Sequence, residues 1–223
     1  GALAADGRAA DAFARLERFG KAIPARVRAT AGLAAVRAGG ITDAQAETVR
    51  SWIEGCIAEE PGSPVLLMNR AEFLSLRHDL AGAAAEYEKI LAADPRNVVA
   101  LNNLAWVLAA DPQTAERALD LVAKATREVG LTGDLLDTRA RVRITLKQFA
   151  DAERDLTDAI RLEPTGLRWF HLAVSRLGQT PAKEKDAADA FREAKRRGLE
   201  SRGVHPADRP TYQLLEGGSR PGG

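Results

Sequence analysis

Histidine and cysteine are the side chains most often used to bind metals or to act as nucleophiles, and this sequence has few of them. The three histidines, His78, His171 and His205, are far apart, and no two have the four-residue spacing that places two ligands on one helix face. Cys56 is the single cysteine, which excludes an internal disulfide and a Cys-x-x-Cys pair. We therefore expect no catalytic centre, no metal and no cofactor. We interpret Cys56 as a buried apolar residue, and His78 and His205 as solvent-facing turn residues.

A second group of polar side chains lies in the segment 98–110. Its apolar residues recur at spacings of three and four, which predicts an α-helix with one buried stripe. The stripe consists of Leu101, Leu104, Ala105 and Leu108. Asn102, Asn103 and Trp106 lie off this stripe, so burial does not explain them. These three residues are candidates for contact with a partner.

The composition is that of an ordinary globular protein. Of the 223 residues, 45% are hydrophobic, 28% are charged and only 5% are aromatic, a balance that favours closely packed helices. The net charge of +1 gives no global field that would attract nucleic acid, and no apolar run approaches the ~18 residues that a membrane span needs. A single cysteine is consistent with a reducing compartment, so we favour the cytoplasm. The start Gly-Ala-Leu, without Met or a secretory pattern, predicts a piece of a longer protein.

Prolines that follow helical runs mark an internal repeat. Pro61 and Pro95 are 34 residues apart, and Pro95 and Pro164 are 69 apart, or two further periods. Within each period, a small residue recurs in both helices, which allows two helix backbones to approach closely. A helical hairpin of this length cannot bury its apolar face alone, so successive hairpins are expected to stack. The recurring positions are Leu67, Arg70, Ala71, Leu74, Ala83 and Tyr87; Leu101, Leu104, Ala105, Leu108, Ala118 and Val122; Leu136, Arg139, Ala140, Arg143, Ala152 and Leu156; and Trp169, Leu172, Ala173, Arg176, Ala187 and Phe191.

This period and these positions resemble the tetratricopeptide-repeat (TPR) family over residues 64–198. The resemblance implies an all-α fold, a right-handed α-solenoid of stacked helix-turn-helix hairpins with a C-terminal capping helix. Arg70 and Arg139 depart from the family pattern, which usually has leucine at this position. The predicted divisions are N-terminal helices with a divergent repeat (1–63), four repeats (64–97, 98–132, 133–165 and 166–198), a capping helix (199–216) and a flexible tail (217–223).

Local signals place the helices outside the four repeats. Thr42 to Gln45 has the form of a capping box and predicts the start of a helix that continues to about Glu60. Asp208 is expected to cap a short final helix that carries Tyr212 and Leu215.

In the TPR family, the first helices of the hairpins line a concave groove that usually holds a peptide. The resemblance therefore implies a protein-binding groove on the first helices of this chain. Its expected residues are Met68, Asn69, Glu72, Asn102, Asn103, Trp106, Asp137, Thr138, Arg141, Phe170, His171 and Val174. The family's other mode, a clamp of basic residues on a terminal carboxylate, is not favoured, because its positions here carry no lysine.

Each groove residue also has a plainer interpretation. Asn69 and Asn103, 34 residues apart, are expected to form a ladder of amides along a bound peptide, or else to make local contacts. Trp106 is either an aromatic anchor or a packing residue, and packing is favoured for Phe170. Asp137 and Arg141 have the spacing of an ion pair on one helix.

The sequence therefore predicts a non-catalytic module that binds a protein or an extended peptide segment in its concave groove. It predicts neither nucleic-acid binding nor membrane insertion. Two alternatives remain at this point. The chain is a structural spacer or regulatory repeat segment of a larger bacterial multidomain protein, or it is a solenoid that associates with itself as a homo-oligomer.

Overall fold

The structure, a computed structural model, describes residues 2–204 and 208–217, with the side chains of 2–7, 21 and 202 excepted. His205 and residues 218–223 of the predicted tail lie outside the described residues. The described part is helical and contains no β-strand, which confirms the all-α class. Its α-helices are α1 (Ala2–Arg18), α2 (Ala25–Ala38), α3 (Asp43–Glu59), α4 (Pro64–Leu76), α5 (Leu80–Ala93), α6 (Val98–Leu108), α7 (Ala115–Val129), α8 (Gly133–Thr145), α9 (Phe149–Leu162), α10 (Gly166–Leu177), α11 (Glu184–Arg196) and α12 (Arg209–Glu216).

Short polar side chains start several of these helices. Thr42 and Gln45 form the predicted capping box, in which each side chain bonds the other residue's backbone N–H. Asn97 accepts a hydrogen bond from the backbone of Ala100, and Thr132 accepts one from Leu135. These bonds satisfy N–H groups that a helix leaves free in its first turn, so the local sequence fixes where the helices begin.

The residues divide into two compact units, an N-terminal unit (Gly1–Pro95) and a C-terminal unit (Arg96–Gly223). In the N-terminal unit, α2 and α3 form one hairpin and α4 and α5 form another, while α1 packs on α2. The ring of Phe13 on α1 stacks on Trp52 of α3, with ring centres 5.5 Å apart. Phe13 is completely buried, so α1 is part of this unit's core.

The C-terminal unit contains three hairpins, α6–α7, α8–α9 and α10–α11, followed by α12. Its first helices adjoin in order, with α6 against α8 and α8 against α10. Small residues occupy the positions where helices cross, and each is completely buried, as the repeat pattern predicts. These residues are Ala105, Ala118, Ala140, Ala152, Ala173 and Ala187.

The two arginines that depart from the family pattern each have an acidic partner 16 residues later on the second helix of the same hairpin. Arg70 binds Glu86 at 2.6 Å, and Arg139 binds both carboxylate oxygens of Asp155, at 2.7 and 2.9 Å. The acidic side chains are only 8% and 5% exposed. A buried ion pair therefore joins the two helices where leucine packing would otherwise do so.

Candidate functional site

The predicted groove residues of the C-terminal unit lie on α6, α8 and α10, the three adjoining first helices. We call the surface formed by these helices and carrying Asn102, Trp106, Asp137, Arg141 and His171 the inner face. The structure links several of its side chains in pairs from one helix to the next.

Asp137 on α8 and His171 on α10 form one such pair. The Nδ1 atom of His171 is 2.7 Å from Oδ1 of Asp137, so Nδ1–H donates to the carboxylate. The histidine is only 4% exposed, and its Nε2 atom is buried without a hydrogen-bond partner among the described residues. In the neutral imidazole this Nε2 is an acceptor, because the proton lies on Nδ1.

Arg141 on α8 makes two contacts with other helices. Its guanidinium carbon lies 4.5 Å from the centre of the Trp106 ring on α6, within the range of a cation–π interaction. Its Nη1 donates a hydrogen bond of 2.7 Å to Oδ2 of Asp208, at the start of α12. The alternative that Arg141 pairs with Asp137 is therefore wrong, since Asp137 binds His171 and Arg141 binds Asp208.

The expected cap of α12 by Asp208 is also wrong. The helix extends over Arg209–Glu216 as anticipated, but the side chain of Asp208 makes no capping hydrogen bond. Its carboxylate is directed to Arg141, 67 residues away in sequence. The backbone of Asp208 is also in the αR region, with φ −95° and ψ −9°, rather than in the extended region typical of a capping residue.

Phe170 and Thr138, two of the predicted groove residues, have buried side chains. Phe170 is completely buried, with its ring centre 6.4 Å from Phe191 and 6.0 Å from Tyr212. The packing interpretation of Phe170 is therefore the correct one. Thr138 is 3% exposed, and Val174 is partly buried against the same core as Phe170. Tyr212 of α12 completes this aromatic cluster, which the hairpin pattern alone did not indicate.

The two asparagines of α6 differ from a stack of fully exposed amides. Asn102, Asn103 and Trp106 are all partly buried. The Oδ1 atom of Asn102 is buried and has no hydrogen-bond donor among the described residues. An amide oxygen in this position can accept a hydrogen bond from an N–H or O–H group of a ligand.

The N-terminal unit carries its own paired residues on α2 and α4. The amide of Asn69 donates to Oγ1 of Thr30 at 3.2 Å, and Glu72 forms an ion pair with Arg37. Met68 lies beside Asn69 and is partly buried. The contact of Asn69 with Thr30 is a local one, as the plainer interpretation proposed. The ladder of Asn69 with Asn103 involves both units and stays a prediction.

Three residues that contact predicted groove residues were not identified from the sequence as their partners. These residues are Thr30, Arg37 and Asp208. Thr30 and Arg37 lie on α2, which the sequence indicated only as a divergent repeat, so extending the repeat register upstream would have found them. No repeat signal points to Asp208, because its partner is set by the position of α12.

Within residues 2–204 and 208–217, no cluster of three or more His, Cys, Asp or Glu side chains could hold a metal ion. Burial raises the pKa of the Cys56 thiol, which keeps it protonated and weakly nucleophilic. No helix in these residues combines the length and apolar character needed to cross a membrane.

Known proteins with similar sequence or structure have the same repeat. No protein-family model matches the chain. A TPR repeat-containing protein of Pseudomonas aeruginosa is 27% identical over 132 residues, which are 58% of this chain and 22% of that protein. The crystal structure of a thermophilic TPR protein from Thermus thermophilus has a TM-score of 0.64 at 19% identity and covers 78% of this chain and 91% of its own. PilW, described as a widely conserved type IV pilus biogenesis factor, has a TM-score of 0.65 at 16% identity and covers 86% of this chain and 88% of its own. The resemblance to TPR proteins is thus confirmed.

Proposed function

We propose that this chain, which has the tetratricopeptide-repeat fold, binds a segment of another protein along the inner faces of its first helices. The observation that carries the proposal is the polar inner face across α6, α8 and α10, where the Oδ1 atom of Asn102 and the Nε2 atom of His171 are each buried without a hydrogen-bond partner among the described residues. Buried polar groups are usually satisfied, because an unmade hydrogen bond is costly. The N–H and C=O groups of a bound main chain would supply the missing hydrogen-bond partners.

Trp106 is the proposed aromatic anchor of this surface. Its ring is partly buried and lies 4.5 Å from the guanidinium carbon of Arg141, so it offers a large amphipathic group that is held by a neighbouring helix. The net charge of +1 supports a protein partner over nucleic acid, which would need a concentrated positive surface. A cytoplasmic location fits the single buried thiol but does not depend on it.

The test is capture of partners from native lysate by the immobilised chain, followed by affinity measurement with a peptide from the captured protein. We expect Trp106→Ala, and separately the double change Asn69→Ala with Asn103→Ala, to weaken binding by about ten-fold or more. Phe19→Ala is the matched control, because Phe19 is 52% exposed and lies outside the predicted groove. Equal affinity in all variants would refute the groove assignment.

A second candidate is a spacer or regulatory segment of a larger protein. It is favoured by the relative from Pseudomonas aeruginosa, in which the similar repeats are only 22% of the chain. A catalytic domain or membrane anchor in the same reading frame, together with no capture by the inner face, would support this second candidate. Self-association is tested by light scattering, where a constant mass at all concentrations would exclude it.

A further inference from the structure

We propose that the site around Arg141 and Trp106 binds an acidic side chain of the partner segment, in exchange for the carboxylate of Asp208. This inference rests on the proposed function, because it names the kind of segment that the inner face accepts. Its basis is the position of a buried guanidinium that is paired with a carboxylate from a short terminal helix.

Arg141 requires a carboxylate as its partner, whether that carboxylate belongs to this chain or to a ligand. The residue is only 6% exposed, and a guanidinium stays protonated at all ordinary pH values. The guanidinium carbon lies 4.5 Å from the centre of the Trp106 ring, and the N–H groups of the guanidinium can bind an anion. Removing the counter-ion of a buried charge is strongly unfavourable. A ligand that displaces Asp208 must therefore bring a carboxylate of its own.

Asp208 accepts one hydrogen bond from the guanidinium of Arg141, which has several N–H donors. The hydrogen bond between them joins Nη1 to Oδ2 at 2.7 Å, whereas a guanidinium can bind a carboxylate through two parallel N–H groups. The Nε atom of Arg141 is buried and has no acceptor among the described residues. The side chain of Asp208 is 30% exposed, so water reaches this contact. A carboxylate that engages two N–H groups would bind better than Asp208 does.

Asp208 can release Arg141 without losing a capping bond. It precedes the first residue of α12 but makes no capping hydrogen bond, and its backbone lies in the αR region rather than the extended region of a capping residue. Its side chain is 30% exposed, so the released carboxylate is hydrated. Hydration offsets part of the cost of breaking the pair, so the exchange does not require α12 to unfold.

Two buried polar atoms on the helices next to α8 indicate which other groups of the ligand bind beside its acidic side chain. The unpaired Nε2 of His171 lies on α10 and the unpaired Oδ1 of Asn102 lies on α6, the helices that adjoin α8. Both accept hydrogen bonds when the imidazole is neutral, so they fit N–H donors of a peptide main chain. The expected occupant is a peptide with Asp or Glu at one fixed position.

The test is a selection of random linear peptides on the full chain carrying Asp208→Asn, which removes the resident carboxylate. We expect the selected peptides to share an aligned Asp or Glu. Replacing that acid by its amide should weaken binding by about ten-fold or more, and so should Arg141→Gln in the protein. The wild-type chain should bind the same peptides more weakly than Asp208→Asn, because Asp208 competes.

Two further variants separate recognition from folding. Arg161→Gln is the matched control, since Arg161 is an exposed arginine that pairs with Asp158 within α9, and it should leave peptide binding unchanged. Arg141→Lys keeps the charge but loses the planar fork, so it should bind the acidic peptides with intermediate affinity even if Arg141→Gln does not fold.

The outcomes distinguish this inference from the proposed function. Selected peptides without an aligned acid, or with the same acid preference on Arg141→Gln, would overturn the carboxylate site and leave the groove in place. A selection that yields no binders on any variant would overturn both.

Discussion

Glu153 is a largely buried carboxylate whose charge stabilises the C-terminal unit. It lies on α9 and accepts hydrogen bonds from Arg176 at 2.8 Å, Gln179 at 2.6 Å and Lys183 at 2.6 Å. Arg176 belongs to α10, and the other two lie in the connection between α10 and α11. One carboxylate therefore joins the beginning of α9 to the end of α10 and to the turn that follows it.

The size of its contribution follows from the pKa of Glu153. Burial would raise this pKa, but the hydrogen bonds from Lys183, Gln179 and Arg176 outweigh burial and lower it from 4.5 to about 2. The carboxylate is only 17% exposed, so solvent screens these interactions little. At about 1.4 kcal/mol per pKa unit, the ionised form stabilises the fold by about 3 kcal/mol. We expect Glu153→Gln to lower the free energy of unfolding by about 2–3 kcal/mol at neutral pH.

The pH dependence has a definite sign. Because the pKa is lower in the folded state, the stabilisation is fully present above pH 4.5 and is lost as the pH falls through 4.5 toward 2. Urea denaturation followed by circular dichroism, at a series of pH values, measures this loss. The difference between wild type and Glu153→Gln should shrink toward zero across the same window.

Asp158→Asn is the matched control for this experiment. Asp158 lies on the same helix and pairs with Arg161, but it is 53% exposed, so its removal should change stability by no more than about 0.5 kcal/mol. The reasoning is refuted if Glu153→Gln is as stable as Asp158→Asn at neutral pH, or if the gap between wild type and Glu153→Gln persists at pH 2.

Three other substitutions have clear expectations, each measured as the free energy of unfolding in urea. Asp155→Ala leaves two arginines without their buried counter-ion and should cost about 3 kcal/mol, whereas a loss below about 1 kcal/mol would show that the pair is solvent-screened. Gly178→Ala drives a methyl group into the Phe149 ring, so it should cost about 1–3 kcal/mol, and an unchanged stability would contradict this packing. Phe170→Ala opens a cavity in the aromatic cluster and should cost about 3–5 kcal/mol; if stability were unchanged while peptide binding fell, Phe170 would belong to the groove after all.

The repeat architecture could be predicted from the sequence because it depends on short-range patterns. Apolar residues three and four apart and alanines at helix crossings are visible within one hairpin. The proline spacing of 34 residues is visible when one hairpin is compared with the next. The capping box at Thr42 is likewise set by four consecutive residues, and the structure contains it. These features needed no knowledge of distant parts of the chain.

The buried ion pairs were within reach of the sequence but were not recognised. Arg70 and Arg139 were identified as departures from the family pattern, and each has its acid 16 residues later. Since two helices of one hairpin run side by side, a fixed spacing brings these positions together. An acid at that spacing was the signal that could have predicted both pairs.

The partners on the inner face were decided by tertiary structure. The sequence placed Arg141, His171 and Phe170 on the first helices of their hairpins, which is where they lie. It did not reveal that Asp208 returns to Arg141 from 67 residues away, or that Tyr212 covers Phe170. Helix periodicity fixes the direction of a side chain within its own hairpin, but burial and ion pairing depend on which distant element packs over it. For this protein, the sequence by itself determined the hairpins, and only the packing of neighbouring helices, α12 among them, decided which of their side chains are paired.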